Sequence, residues 1–311
     1  MIFINVLYYD NCWFTNVGEA FIDIGAMNII RKLFPNANIA NISNMSKYYV
    51  PQERNKIFKK QNNETRNYKL LNTLDYFEFE YLVLAGMFMS EKHLEGEVCE
   101  FVKAASCTGK KIVFLGLGQE ARMQDESVEE YRKYLHFIKP VLVVTRDRKT
   151  YKNLCGGGIK MLQGIDAAFW VKDSYDPRGF SVKEYDIVSF CRSDEPEGFG
   201  AWPYPIIRPY HFQWSARDIR CKKNTFISDI PYDYITLYAN AHKVYTDLVH
   251  ATIISLQYGK EVEYFYTDDR SDAFLDIPFL YKKDRSLRMD EDELDKFKNE
   301  LVGKMIQAIS S

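Results

Sequence analysis

The sequence predicts an α/β protein of two lobes with mostly parallel sheets facing a central cleft, and three observations lead there. A chain of 311 residues exceeds the size at which one hydrophobic core is usual, so two lobes of comparable size are expected. Short apolar runs alternate with helix-period segments over nearly the whole length, as βα units around a parallel sheet require. At residues 172–178 (KDSYDPR), charge, proline and an Asp-Pro step interrupt that periodicity, which sets an expected division into residues 1–175 and 176–311.

In the first lobe, strands are expected at 1–9 (MIFINVLYY), 38–42, 81–85 (YLVLA), 111–117 (KIVFLGL) and 141–145 (VLVVT), with a weaker one at 159–162. Ile22, Ala26, Ile29 and Leu33 recur on one face and predict a helix over 18–34; further helices are expected at 91–106 and 126–137. In the second lobe, strands are expected at 185–191 (YDIVSFC), 225–227, 243–246 (KVYT) and 261–266 (EVEYFY). Helices at 232–239 and 250–258 fall between them, and a charged amphipathic helix over 290–309 closes the chain.

Composition narrows the function classes. With 41 basic and 43 acidic side chains the formal charge is −2, so the electrostatic footprint of a nucleic-acid binder is missing and nucleic acid is not expected as a partner. The six cysteines (Cys12, Cys99, Cys107, Cys155, Cys191, Cys221) form no CxxC pair or regular framework, which predicts ordinary thiols in a reducing compartment and no structural zinc. The opening run of nine residues lacks a basic flank and is too short for a signal h-region or a membrane span. A cytoplasmic location is therefore expected, compatible with peripheral contact to a membrane-held substrate. The 15% aromatic content accompanies a general richness in Asn, Ile and Lys and is read as a compositional background rather than a set of stacking platforms.

Ligands of open parallel sheets settle outside the carboxyl ends of the strands, and four such places carry suggestive residues. Asn16-Val17-Gly18-Glu19 opens the first helix, where Gly lets a ligand approach the backbone and free N–H groups face an anion; Asn16 and Glu19 could equally be a cap and a dipole partner. Arg146-Asp147 follows a strand, either as a ligand contact or as a local ion pair at a helix start. Arg192 ends the strand Ser189-Phe190-Cys191 and could hold a phosphate or carboxylate bidentately, or neutralise Asp194 and Glu195 beside it. Thr246-Asp247-Leu248-Val249-His250 leads into a helix whose first turn holds His250, placed to exchange a proton near neutral pH. His93, His136, His211 and His242 lack such a position and are read as structural.

In order and spacing, these places resemble the polysaccharide pyruvyl transferase family, and the likeness runs from the first strand to about Tyr266. Asn16, Gly18 and Glu19 match its Asn-x-Gly-Asp/Glu start, and Ala85-Gly86-Met87 a glycine turn after a strand. Gly109-Lys110 to Leu115-Gly116-Leu117-Gly118 match a GKxxxxLGxG-like strand, Arg146-Asp147 an Arg-Asp step, Asp166 to Phe169 an Asp-x-x-Phe, and Arg192 an arginine that ends a strand. Thr246-Asp247-Leu248-Val249-His250, followed by Gly259-Lys260, matches a Thr/Ser-Asp-Arg-Leu-His segment, with Leu248 in place of the family's arginine.

The resemblance implies two Rossmann-like lobes in a GT-B-like arrangement, the first on the acceptor side and the second on the donor side. It implies a transferase that moves a pyruvyl group from phosphoenolpyruvate to a sugar of a cell-surface polysaccharide precursor, free or lipid-linked, as a ketal and without cofactor or metal. Such chemistry needs an acid, a base and cations for a phosphate and a carboxylate. By resemblance His250 is the acid and Arg192 the clamp. Glu19 or Asp247 is the base or acceptor-hydroxyl contact, and Asn16, Gly18, Gly86 and Arg146 are substrate contacts. Arg208, Lys243 and Arg270 could stand in for the missing arginine. Two other readings fit the same architecture: a glycosyltransferase using a nucleotide sugar, favoured by Leu248, and a non-catalytic glycan-binding relative.

Overall fold

The computed structural model describes residues 4–9, 16–42, 74–86, 88–89, 94, 96–119, 125–180, 183–196, 204–211, 223–265 and 271–311. Contacts divide the chain into two compact units, one taking Met1–Cys12, Ile29–Asp166 and Val302–Ser311 and the other Trp13–Asn28 and Ala167–Leu301.

The first unit holds a sheet of seven strands, all paired parallel: β1 (Asn5–Tyr9), β2 (Asn38–Ile42), β3 (Tyr81–Ala85), β4 (Phe88–Met89), β5 (Lys111–Gln119), β6 (Leu142–Thr145) and β7 (Met161–Gln163). Their order is β2-β1-β3-β5-β6-β7, with β4 against the end of β5. Both faces of such a sheet are covered, which is why β3 reads as an unbroken apolar run, β6 as one up to its closing Thr145, and both are buried at every residue. Helices α2 (Glu97–Cys107) and α3 (Asp125–Ile138) lay Phe101, Val102, Tyr131 and Leu135 onto Leu82, Leu84, Ile112 and Phe114 of the strands. The strand order reverses between β1 and β3, so Gly86, immediately after β3, stands at the switch point of this sheet.

The second unit carries β8 (Asp186–Ser189), β9 (Ile206–Pro209), β10 (Thr225–Phe226), β11 (Lys243–Thr246), β12 (Glu261–Tyr264), β13 (Leu280–Lys283) and β14 (Ser286–Met289). The order is β10-β9-β8-β11-β12-β14-β13; the first five are parallel, and the β13–β14 hairpin adds an antiparallel edge. The five parallel strands follow the 3-2-1-4-5 order of a dinucleotide-binding fold, and the switch point lies between β8 and β11. Helices α5 (Pro231–Asn240) and α6 (Val249–Gln257) follow β10 and β11, the short α7 (Asp272–Leu275) follows β12, and α6 is buried at every residue from Ala251 to Gln257.

Two long helices contribute to both units. The turns of α1 (Val17–Leu33) up to Asn28 are counted with the second unit, and the end of α8 (Glu291–Ser310) from Val302 is counted with the first. The break expected at 175/176 moves to Asp166/Ala167, because the segment after Asp166 packs into the second unit. Ala167–Trp170 forms a buried 3-10 turn, Gln257 Nε2 donates to Ala168 O at 2.8 Å, and Lys172 N donates to Gln257 Oε1 at 2.8 Å. The charge and proline at 172–178 mark the irregular chain beyond this packing, where Lys172 and Arg178 both pair with Glu291 at the start of α8.

Most strands lie where their apolar runs put them: β2, β3 and β11 match end for end, others shift by one or two residues, and β1 begins at Asn5, residues 1–3 lying outside the described residues. The part of the expected 91–106 helix that is described begins at Glu97, and residues 91–93 and 95 lie outside the described residues, as do Cys12, His93, Cys221 and Arg270.

One contact fixes α1 in the second unit. A Cβ added at Gly25 would lie 1.9 Å from the carbonyl oxygen of Ala167, and neither backbone can yield by rotating a side chain. Gly25→Ala is therefore expected to destabilise the protein by about 1–3 kcal/mol or more, against the helix-propensity gain of about 1 kcal/mol that alanine brings elsewhere. A thermal midpoint unchanged or raised in calorimetry would contradict this packing.

Candidate active site

At the switch point of the second sheet, two strand ends are tied together by one carboxylate. Asp247, directly after β11 and 1% exposed, accepts from Cys191 N at 3.1 Å on Oδ1, and from Arg192 N at 2.9 Å, Ser193 N at 2.8 Å and Ser193 Oγ at 3.0 Å on Oδ2. Four donors fill the acceptor sites of an ionised carboxylate. Asp247 thereby holds the turn after β8, and its geometry favours a positioning role over that of a base. Thr246 Oγ1 adds a second tie, donating to Ser189 O at 2.7 Å and accepting from Leu248 N at 3.0 Å.

That turn presents Arg192, which is exposed at the carboxyl edge of the sheet. Glu195, expected beside it as a neutralising acid, is taken by Arg208, whose Nε and Nη2 donate to its two carboxylate oxygens at 2.8 and 3.1 Å. Leu248, in the place where the family carries arginine, is the N-cap of α6 and 3% exposed.

His250 occupies the first turn of α6 and lies against the backbone of Gly18: a Cβ added at Gly18 would come within 2.3 Å of its Nδ1 and 3.0 Å of its Cγ. The N-terminal part of α1 and the switch-point helix thus share one unit, rather than meeting from opposite lobes as expected. Asn16 caps α1: its Oδ1 accepts from Gly18 N at 2.9 Å, its carbonyl accepts from Glu19 N at 3.0 Å, and its Nδ2 donates to Glu19 Oε1 at 3.3 Å. This is the capping arrangement open in the sequence, and it places Glu19, half-buried, one residue from the glycine that touches the imidazole.

A second cluster forms at the carboxyl edge of the first sheet, where three separate motifs converge. Arg146, after β6, lies across Gly118 of β5, whose added Cβ would meet Arg146 Nε at 2.3 Å. Its Nη1 reaches Asp166 Oδ2 at 3.2 Å, with the two side chains only 10% and 1% exposed. Asp147 caps α4 (Arg148–Leu154), accepting from Thr150 N at 2.6 Å and Thr150 Oγ1 at 2.8 Å. Gly86, at the switch point of this sheet, has φ +62° and donates to Leu115 O at 2.9 Å, a conformation that a side chain would strain.

Behind the second-unit site sits His211, one of the histidines read as structural. It is fully buried, its Nε2 is 2.8 Å from Tyr238 Oη, and Phe21 of α1 packs edge-on to it at 6.2 Å. Burial, helped by the nearby His250, pushes its pKa down to about 3. Nothing in the local sequence distinguishes His211 from His136 or His242; only the fold brings it beneath α1. Among the described residues, no group of three or more His, Cys, Asp or Glu gathers as a metal would require, and no helix is long and apolar enough to cross a membrane.

The model of the family "Polysaccharide pyruvyl transferase" matches residues 16–269, beginning at the Asn16 cap and passing through both clusters. The chain belongs to that family, and the family is one of transferases. No curated protein matches the chain. Among solved structures, one described as a UDP-N-acetylglucosamine 2-epimerase from Listeria monocytogenes aligns with TM-score 0.57 at 9% identity, over 99% of this chain and 90% of that one. The UDP-GlcNAc 2-epimerase from Neisseria meningitidis, bound to UDP-GlcNAc, gives 0.53 at 12% over 99% and 94%. The enzyme from Methanocaldococcus jannaschii gives 0.52 at 12% over 96% and 99%. At such identities the likeness concerns the fold alone, which is α/β and GT-B-like.

Two outcomes test this geometry. Gly18→Ala is expected to displace the imidazole rather than melt the helix, so the ring resonances of His250 should shift while those of His136 and His242 hold; unchanged His250 signals would refute the contact. His211 is neutral when folded and titrates near 6.5 when unfolded. Its contribution is therefore complete above about pH 6.5 and drains as pH falls toward 3, at up to about 1.4 kcal/mol per pH unit. Denaturation midpoints followed from about pH 7 to 4 should fall, and His211→Gln should flatten that fall.

Proposed function

We propose that the chain transfers a pyruvyl group from phosphoenolpyruvate to a saccharide of a cell-surface polysaccharide precursor in the cytoplasm, forming a ketal. The observation that supports this most is the placement of His250 in the first turn of α6 at the switch point of the second sheet, on the strand end next to the one that presents Arg192. In this reading His250 delivers a proton to the methylene carbon of the enol phosphate. A sugar hydroxyl adds to the resulting cationic carbon, inorganic phosphate leaves, and a second hydroxyl closes the ketal. Arg192 holds an anionic group of the donor, and Glu19 receives a hydroxyl proton from the acceptor. Asp247 fixes the turn that carries Arg192, while Asn16 and Gly18 set the place of Glu19 and of the imidazole. Gly86 is proposed as an acceptor contact at the edge of the first sheet, with Arg146, closed onto Asp166, as the tie that shapes that edge.

The burial of an apolar Leu248 where the family carries arginine supports a second reading, transfer from a nucleotide sugar. The two separate in one experiment. A ligand that binds only the folded state raises its thermal midpoint, so phosphoenolpyruvate should stabilise the protein and uridine- or guanosine-linked sugars should not. The reverse pattern would carry the second reading.

With a saccharide acceptor panel, phosphate release should match the gain of one pyruvyl group per acceptor by mass spectrometry. His250→Gln should lower that turnover by about a hundredfold or more and leave the thermal midpoint within a few degrees of the parent. Near-normal turnover would remove His250 from the chemistry.

A further inference from the structure

An anionic donor with a phosphate and a carboxylate calls for more than one cation, and Leu248 leaves this chain short of one. Two of the sequence candidates to replace it are already committed. Arg208 is held by both carboxylate oxygens of Glu195, and Lys243 lies between Glu261 at 3.0 Å and Glu263 at 3.2 Å on the face of the sheet.

Elsewhere in the same unit, a cavity of about 560 Å³ opens where β12 ends and the β13–β14 hairpin turns. Its volume falls in the range of small-molecule sites. Ser193, one residue from Arg192, lines it on one side, and Lys282 and Arg285 of the hairpin line it on the other, with Phe265 as an apolar wall and Asp284 as the lone acid among the lining residues. Arg285 sits in the two-residue turn between β13 and β14. Its guanidinium lies 4.7 Å from the centroid of the Phe265 ring, while its carbonyl accepts from Tyr264 N at 2.9 Å. The ring thus orients the guanidinium, and the backbone bond fixes the turn independently of the side chain. Neither Lys282 nor Arg285 has a carboxylate within ion-pair distance among the described residues. Ser193 joins this cavity to the switch point, because its hydroxyl and amide both donate to Asp247, which precedes Leu248 in the chain.

We infer that Arg285, supported by Lys282, supplies the cation missing at position 248 and holds an anionic group of the donor in this cavity. The inference rests on the reading above for the donor's identity; for the site it needs only a small phosphorylated anion. Phe265, under the guanidinium, favours a planar cation over a lysine there, so Arg285→Lys should restore binding only in part.

The test is titration calorimetry of the full chain with phosphoenolpyruvate, inorganic phosphate and UDP-GlcNAc. Arg285→Gln and Lys282→Gln should each weaken phosphoenolpyruvate at least about tenfold, and Asp284→Asn should tighten it by removing a like charge. Lys283→Gln, an exposed hairpin cation that does not line the cavity, should by contrast bind phosphoenolpyruvate about as well as the parent. Phosphoenolpyruvate bound equally by the parent and by both glutamine variants would overturn the inference and leave the pyruvyl transfer reading standing. If the nucleotide sugar binds instead, and Arg285→Gln weakens it, the donor reading fails while the anion site stands. No binding of any of the three probes by the parent would overturn both.

Discussion

A buried carboxylate accepting four hydrogen bonds holds the turn after β8 to the end of β11, and the place of Arg192 beside the helix that carries His250 follows from it. Where two neighbouring parallel strands lead to opposite sides of a sheet, the ladder ends and the next backbone N–H groups lose their partners. The amides of Cys191, Arg192 and Ser193 are in that position, and Asp247 satisfies all three. Removing an ionised carboxylate from water costs several kcal/mol, which charge-assisted bonds of this number and length offset. The return is geometric: the backbone of Arg192 cannot drift relative to the helix that carries His250, although the guanidinium itself stays exposed.

Both units use the same device to seat a functional side chain. In the second, Gly18 has no Cβ and the imidazole of His250 takes the space; in the first, Gly118 has none and Arg146 takes it. A missing side chain is a cheap way to bring a ring or guanidinium within contact distance of a helix or strand backbone, and it makes the pair sensitive to a single methyl group. The difference lies in what happens next. Arg146 closes onto Asp166 with both groups almost wholly buried, so its charge is spent inside the protein, whereas His250 remains half-buried at a sheet edge. The same motif grammar therefore yields a structural tie in one unit and a reactive candidate in the other.

The strands were legible where burial on both faces forces an apolar run, as at Tyr81–Ala85 and at Leu142, Val143 and Val144. They were not legible where an element owes its place to a neighbour. Arg148–Leu154 buries only Thr150 and Leu154, Ile206–Pro209 is four residues closed by proline, and Leu280–Lys283 is largely exposed on an edge. The residues of the site show the same split. His250, Arg192 and Asp247 announce themselves by following strands, because strand ends are where parallel sheets bind. What each does there depends on partners remote in sequence, and so Asp247 reads as a base until Cys191, Arg192 and Ser193 are seen around it. The seat of α1 in the second unit was equally hidden, since it rests on contacts remote in sequence: Gly25 with Ala167, Gly18 with His250 and Phe21 with His211.

Leu248 shows how the position of a charge changes the character of binding. As the N-cap of α6 it is packed in the core, and its carbonyl accepts from Thr252 N at 3.1 Å and Thr252 Oγ1 at 3.0 Å. An arginine rooted there would begin inside the protein and carry its desolvation cost whether or not an anion was present. A cation on the exposed turn of a hairpin is solvated until the ligand arrives, so the cost falls on the binding step and the attraction is screened by salt. Affinity built on Arg285 should therefore depend steeply on ionic strength. The proton chemistry at His250, held against Gly18 by packing, should depend on it much less.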